Sequence, residues 1–370
     1  MTKAKPRRFL PVYEPWIGRP ELERVTRCVK SGWISSIGTE IGEFERRFAA
    51  LCRRRFGVAT SNGTTALHLT LAALGIGPGD EVIVPALTFV ATANAVHYTG
   101  ATPVFADADP LSWNVDPAAV ATSVTKRTRA ILAVHLYGQP AEMRALAAIA
   151  RRAGAVLVED AAEAHGARYR GRPVGSLGHV ACFSFYGNKM VTTGEGGMVL
   201  TSDARLAARL RLLRDHAMSP KRRYYHGEIG FNYRMTTLQA ALGLAQLDRF
   251  AEILDRKRKI AAWYRDGLRG LPLELAPDLP GCENVHWMFS ALLARHARLD
   301  RDALALRLSD RGVDSRPFFV PIPELPPYRG RSRYPVAADL AARGLNLPSG
   351  PRLTRRDVRF ICNEIADLLA

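Results

Sequence analysis

An α/β fold built on a mainly parallel sheet is predicted by three features of this 370-residue sequence. Short apolar runs alternate with helical patterns from about residue 58 to 200. The runs end in Gly, Pro, Asn or Asp, as buried strands do. A different pattern begins near residue 285, after a charged helical stretch over 248–265 suited to joining two units. The expected division is a large domain over residues 1–250, with an N-terminal arm, and a smaller C-terminal α+β domain over 251–370. A chain of this length buries about three quarters of its unfolded surface, enough for two cores.

Taken in order, the first 18 residues read as an extended arm. Glu21 to Lys30 and Ile41 to Phe56 read as amphipathic helices, with the loop SGWISS between them. The strand GVATSN leads through Asn62 and Gly63 into a helix over Thr64 to Leu74, stopped by Gly75, Gly77, Pro78 and Gly79. EVIVP (Glu81 to Pro85) is a strand, Thr88 to Tyr98 a helix and Pro103 to Ala106 a strand. Asp107 and Asp109 mark a loop, with Asp109 able to cap the next segment; no catalytic role is assigned to them. Ala130 to His135 is a strand, Met143 to Ala153 a helix and Gly154 its C-cap. Two further strands, over 155–158 and 180–186, flank a basic turn. Helices are expected over Ala204 to Asp215, from Thr236 and over 248–265. His286 to Ala294 is a strand, Asp300 to Arg311 a helix, and Thr354 the N-cap of a last helix to Leu369.

Composition removes several function classes. Hydrophobic residues at 47% and charged residues at 24% are ordinary globular values. No run approaches the ~20 apolar residues of a membrane span. The five cysteines are scattered and form no C-x-x-C, which fits a reducing cytoplasm and argues against a disulfide frame or a metal site. The net charge of +17 raises nucleic acid as a partner. Its basic clusters, however, are spread along the chain without interleaved aromatics, so nucleic acid is set aside.

The chemistry concentrates between residues 155 and 200. One apolar run ends in Glu159 and Asp160; a second ends in Gly187, Asn188 and Lys189, followed by a turn with Gly194, Gly196 and Gly197. Ligands of open α/β sheets sit beyond the carboxyl ends of strands, where both Asp160 and Lys189 fall. Upstream, the turn at Asn62 and Gly63 opens a helix whose free N–H groups suit a phosphate, or are simply capped. Phe89 lies in a strand-to-helix loop, where an aromatic either covers a flat ring or packs in the core. An amine, an acid and a phosphate anchor are the set an aldehyde cofactor needs. An acid beside a pyridine nitrogen raises its pKa by about 1–3 units. At about 1.4 kcal/mol per unit, that is roughly 1.4–4 kcal/mol toward the protonated, electron-accepting ring.

The ordered segments SNGTTALHL, GPGDEVIVPALTFVATANAV, HLYGQPAEM, VEDAAEAHGA, GSLGHVACFSFYGNKMVTTGEGGMV and FNYRMTTLQAALGLAQL resemble the DegT/DnrJ/EryC1/StrS sugar aminotransferases. The resemblance spans about residues 10–350. It implies the aspartate-aminotransferase-like fold of type I pyridoxal-phosphate enzymes, pyridoxal 5′-phosphate as cofactor and a homodimer with a shared active site. Position by position it implies Lys189 as the lysine that binds the cofactor and Asp160 as the partner of its ring nitrogen. It likewise implies that Phe89 stacks on the ring, that Gly63, Thr64, Thr65 and Ser184 form the phosphate cup, and that Asn232 is lent to that phosphate by the neighbouring subunit. Glu163, often Gln in the family, would lie near the phenol oxygen. Trp33, Ser35, His165 and Phe318 are candidates for sugar contact; Trp33, Ser35 and His165 have equally good structural readings. Relatives that dehydrate sugars carry His at the lysine position, so Lys189 implies transamination. VYEPWI, GWISSIG and KRRYYHGEIGFNYRM resemble the branch that aminates a GDP-linked 4-keto sugar with L-glutamate; a UDP or dTDP sugar is the alternative, and a non-catalytic regulator the out-of-class one. Pro323 stands where many relatives carry His.

Overall fold

The computed structural model describes residues 9–370. Residues 1–8 of the expected arm lie outside them; Leu10 pairs with Val313, and the Val12 carbonyl accepts the N–H of Ser349. The strands of the described residues are β1 (Phe56–Thr60), β2 (Glu81–Pro85), β3 (Thr102–Ala106), β4 (Thr128–Val134), β5 (Val156–Asp160), β6 (Arg168–Tyr169), β7 (Arg172–Pro173), β8 (Val180–Ser184), β9 (Gly197–Thr201), β10 (Leu273–Leu275), β11 (Cys282–Glu283), β12 (Phe289–Leu293), β13 (Arg316–Pro317) and β14 (Gly344–Leu347).

Seven of them form one sheet in the order β1-β9-β8-β5-β4-β2-β3. The run from β8 to β3 is parallel, as expected; β9 is antiparallel to both neighbours. The loop from Phe185 to Gly196 turns the chain straight back and holds no helix, so β9 lacks the crossover a parallel partner needs. Helices cover both faces, and the strands accordingly are almost wholly buried rather than alternating. A second, antiparallel sheet, β10-β12-β14-β13, packs its core with the helices Phe250–Gly267, Arg301–Asp310 and Arg355–Leu369.

Local chemistry sets most element ends. Gly154 takes a left-handed φ of 64° after the helix Met143–Ala153. Thr354 and Asp357 form a reciprocal capping box. Two expectations are corrected. The helix expected to reach Phe56 stops at Leu51, because Arg53 turns left-handed (φ 54°) and releases Phe56 into β1. A short helix, Pro117–Ser123, comes after the loop, and its cap is Asp116; Asp109 instead accepts the N–H of Ser112. Asp107 reaches across to accept the N–H groups of Val336 and Ala337, capping the helix Pro335–Arg343.

The carboxylate of Glu159 is fully buried and accepts backbone N–H groups from Gly175, Leu177 and Gly178, each at 2.7 Å. His135 Nδ1 accepts from Ala141 N–H, so its proton sits on Nε2, which donates to Glu159 at 3.2 Å. Burial would raise the Glu159 pKa, but these donors outweigh it and hold the group below its ordinary range. Glu159→Ala strands three N–H groups and an imidazole donor. It is expected to cost about 3–5 kcal/mol, read from the midpoint of urea unfolding.

Candidate active site

A cavity of about 460 Å³ opens at the carboxyl ends of β5 and β8. Its floor is laid by three chain segments. Asp160 is the last residue of β5, Ser184 the last of β8, and Gly63 the first of the helix Gly63–Ala73, which follows β1 through Asn62. A Cβ built at Gly63 would meet Ser184 Cβ at 2.7 Å, so only glycine lets the helix start approach that hydroxyl. Lys189 lies in the turn after β8, its N–H donating to the carbonyl of Tyr186.

The ionisable groups at the centre are buried together. Asp160 Oδ2 accepts from Thr92 Oγ1 at 2.8 Å, and Oδ1 from Ala162 N–H at 3.3 Å. Burial still raises its pKa, with Thr92, Ala162 and Lys189 opposing. Glu163 Oε2 accepts the Tyr137 N–H at 2.8 Å, and its Oε1 lies 3.7 Å from Lys189 Nζ. Burial lifts Glu163 to about 7, against the pull of Lys189. Burial lowers Lys189, while Glu163 and Asp160 raise it again and Arg316 lowers it.

Of the residues singled out from sequence, Gly63, Thr64, Phe89, Asp160, Glu163, Ser184 and Lys189 all line this one cavity. Thr65 does not. Its N–H is taken by Asn62 Oδ1 and its hydroxyl bonds back to Asn62, so it shapes the turn instead of facing the cavity. Asn232 is exposed, its amide oxygen accepting from Arg234. Trp33 and Ser35 stand off the cavity: Trp33 is 56% exposed, and the Ser35 carbonyl is tied to the N–H and hydroxyl of Thr237. Pro323 is buried in a short turn and does not line the cavity.

Two sugar-contact expectations are corrected. His165 is buried among the rings of Phe48, Phe183 and Phe185, at centroid distances of 5.4–5.9 Å, and does not line the cavity. Phe318 is buried against Tyr137 and Trp113; the next residue, Phe319, faces the cavity and lies 5.6 Å from Phe89. Successive side chains of an extended segment point opposite ways, which decides between them.

Sequence reasoning passed over Thr92, Tyr137, Trp287, Arg316 and Asn346, which also line the cavity. Thr92 sits one helical turn after Thr88 in a segment already assigned as helix, and Tyr137 in the recognised LYGQP turn. Trp287, Arg316 and Asn346 come from the second sheet and its approaches, more than 90 residues beyond Lys189, and carry no local signal. Among the described residues no group of three or more His, Cys, Asp or Glu is placed to hold a metal ion, and no helix is long and apolar enough to cross a membrane.

Compared with known proteins, residues 15–366 match the DegT/DnrJ/EryC1/StrS aminotransferase family. The chain belongs to this family. It is 47% identical over 352 residues to the GDP-perosamine synthase of Caulobacter vibrioides, covering 94% of this chain and 95% of that one. It is 42% identical to the GDP-perosamine synthase of Escherichia coli O157:H7, with 97% and 98% covered. The solved structure of DesV from S. venezuelae superposes with a TM-score of 0.88 at 40% identity, with 94% and 93% covered. The DegT/DnrJ/EryC1/StrS aminotransferases work with pyridoxal 5′-phosphate, and the cavity fits it. Asp160 is buried with only two donors for its carboxylate, leaving room for a ring N–H. The glycine at 63 keeps an opening at a helix N-terminus, where the N–H groups of residues 63 and 64 suit an anion.

The placement of His165 is open to a pH test. Burial lowers its pKa to about 3. The folded chain therefore keeps it neutral where the unfolded chain protonates it, and stability is lost as pH falls below about 6.5. Wild type is expected to lose about 2 kcal/mol more than His165→Leu between pH 6.5 and 5 in urea unfolding.

Proposed function

We propose that this chain transfers the amino group of L-glutamate to the 4-keto carbon of a nucleotide-linked 6-deoxyhexose, with GDP-4-keto-6-deoxymannose as substrate and GDP-perosamine as product. The product would feed a surface glycan such as O-antigen, and the enzyme would work in the cytoplasm. The observation that carries the reading is the buried amine of Lys189 sharing one cavity with Asp160, in a chain so similar to two GDP-perosamine synthases. The large unit is taken to end near residue 250 and the small one to begin at 251.

The cofactor supplies an aldehyde and a ring that accepts the electron pair left when the donor loses its Cα proton. The chain's own residues do the rest. Asp160 holds the ring nitrogen and favours its protonated state. Thr92 keeps that carboxylate oriented. The N–H groups of Gly63 and Thr64, with the Ser184 hydroxyl, hold the phosphate; Thr65 fixes the turn that presents them. Phe89 covers the ring from the cavity side. Lys189 holds the cofactor at rest and, once displaced, moves the proton that Cα gives up. Glu163 neutralises Lys189 or takes up its proton. Arg316 is exposed at the cavity, and its guanidinium, with no hydrogen bond or ion pair among the described residues, is offered to an anionic substrate.

A homodimer completes this reading. Leu22 and Val29, two helical turns apart, are 67% and 56% exposed on the outer face of the helix Arg19–Ser31, and Trp33, Ile34 and Ile37 are exposed just beyond it. Such a face suits a second copy of the chain. In the dimer Asn232 would reach the neighbouring copy's phosphate.

Two measurements test these points. With glutamate as donor, the GDP-linked keto-sugar is expected to give the highest kcat/KM over dTDP- and UDP-linked ones, and Lys189→Ala to lose both turnover and the yellow colour of the bound cofactor. A clear preference for UDP or dTDP would redirect the substrate assignment. Paired Leu22→Glu and Val29→Glu substitutions are expected to shift the mass in light scattering from dimer to monomer and to cut activity at least ten-fold.

A further inference from the structure

Trp287 does two things at once. The centroid of its indole lies 3.6 Å from Lys189 Nζ, and its Nε1–H donates to the carbonyl of Asn188 at 2.7 Å. One side chain thus meets the lysine at both ends: at the amine and at the backbone beside it. We propose that Trp287 is a positioning residue for Lys189, its ring face docking the amine and its N–H fixing the turn that carries it. This rests on Lys189 being the reactive amine.

The surroundings make Trp287 itself hard to move. Its backbone carbonyl accepts from Lys257 Nζ at 3.0 Å, and Lys257 is buried and also donates to the Ser349 carbonyl. Its ring stacks at 15° on Tyr137, whose N–H holds Glu163. A Cβ on Gly138 would come within 2.9 Å of the Trp287 nitrogen, so the LYGQP turn packs on it as tightly as its glycine allows. From the other side the Tyr13 hydroxyl donates to the Lys189 carbonyl at 3.0 Å. The carbonyls of Asn188 and Lys189 are therefore held by two different side chains, while the amine lies 3.7 Å from Glu163 Oε1 and 3.6 Å from the indole centroid.

The ring acts on charge as well as place. An aromatic face attracts an ammonium and not a neutral amine, and more so out of water. The charged or titratable groups facing Lys189 are Glu163 and Asp160, which favour its ammonium, Arg316, which opposes it, and neutral His165 behind. Trp287 adds to the first pair without adding a third carboxylate, which would repel both Asp160 and Glu163. Once Lys189 has taken up the proton that Cα gives up, this dock would hold the resulting ammonium.

The test is the titration of Lys189 in the full-length chain freed of cofactor, followed by NMR with 13Cε-lysine and assigned with Lys189→Arg. Trp287→Leu removes both ring and N–H; Trp287→Phe keeps a ring face; Trp287→Met serves in place of Leu should that variant not fold. The Lys189 midpoint is expected to fall by about half to one and a half pH units in the Leu or Met variant and by clearly less in the Phe variant, and the pH profile of kcat to shift with it. An unchanged midpoint in a folded Leu or Met variant would overturn the proposal, as would an equal fall in Phe and Leu. A shifted midpoint in a chain that rejects every GDP-sugar would instead count against the substrate reading alone.

Discussion

Placing an amine between two carboxylates away from water is the constraint on which this structure turns. Each buried charge costs several kcal/mol in lost hydration. At 3.7 Å the attraction between Lys189 and Glu163 returns about 4 kcal/mol at an effective dielectric of 20. The attraction offsets only part of that cost, so burial shifts both groups toward their neutral forms. The directions seen here agree: Glu163 is pushed up to about 7 while Lys189 is pushed down. A pair poised in this way gives up or accepts a proton at little cost, as the role proposed for Lys189 requires.

That balance needs a rigid frame, and Glu159 supplies much of it. It neighbours Asp160 on β5 but points to the opposite face, as strand geometry demands. There it gathers the loop over 175–178 and the imidazole of His135. The His135 N–H in turn donates to the Asp160 carbonyl, and the loop after it carries Tyr137, left-handed at φ 53°, whose N–H holds Glu163. One fully satisfied carboxylate on the silent face therefore orients two carboxylates on the active one. The adjacent acids at 159 and 160 divide the work: one is ionised and structural, the other raised by burial and open to a ligand.

Much of this was legible in the sequence because it was written in short-range signals. EVIVP forms its strand over the expected residues, and Met143–Ala153 with Gly154 forms the expected helix and cap. The convergence of Asp160 and Lys189 followed from strand ends in an α/β sheet, while Ser184 came from the family resemblance. The side chains misread at the site share a cause: distance along the chain. Which of Phe318 and Phe319 faces the cavity depends on the pairing of β13 with β14, and that register has no local signature. His165, two residues after Glu163, had equally good functional and structural readings; the phenylalanine rings that decide for structure come from other elements. The helix expected to reach Phe56 failed on one left-handed arginine, a conformation that composition does not announce.

The second sheet explains why the site cannot be complete in the first one alone. Trp287, Arg316 and Asn346 enter the cavity from β13, β14 and the approach to β12, while Asp160 and Lys189 enter from the seven-stranded sheet. Any sliding between the sheets would change the spacing between indole and amine, and a cation–π contact weakens quickly with distance. Several contacts resist it: Asp107 caps a helix beside the second sheet, the Tyr137 hydroxyl accepts the Phe319 N–H at 3.1 Å, and Trp287 bonds to Asn188. Two of these involve residues of the cavity lining itself. The groups that define the cavity are thus the groups that fix one sheet against the other, so a ligand drawing on both sheets would stiffen the joint it occupies.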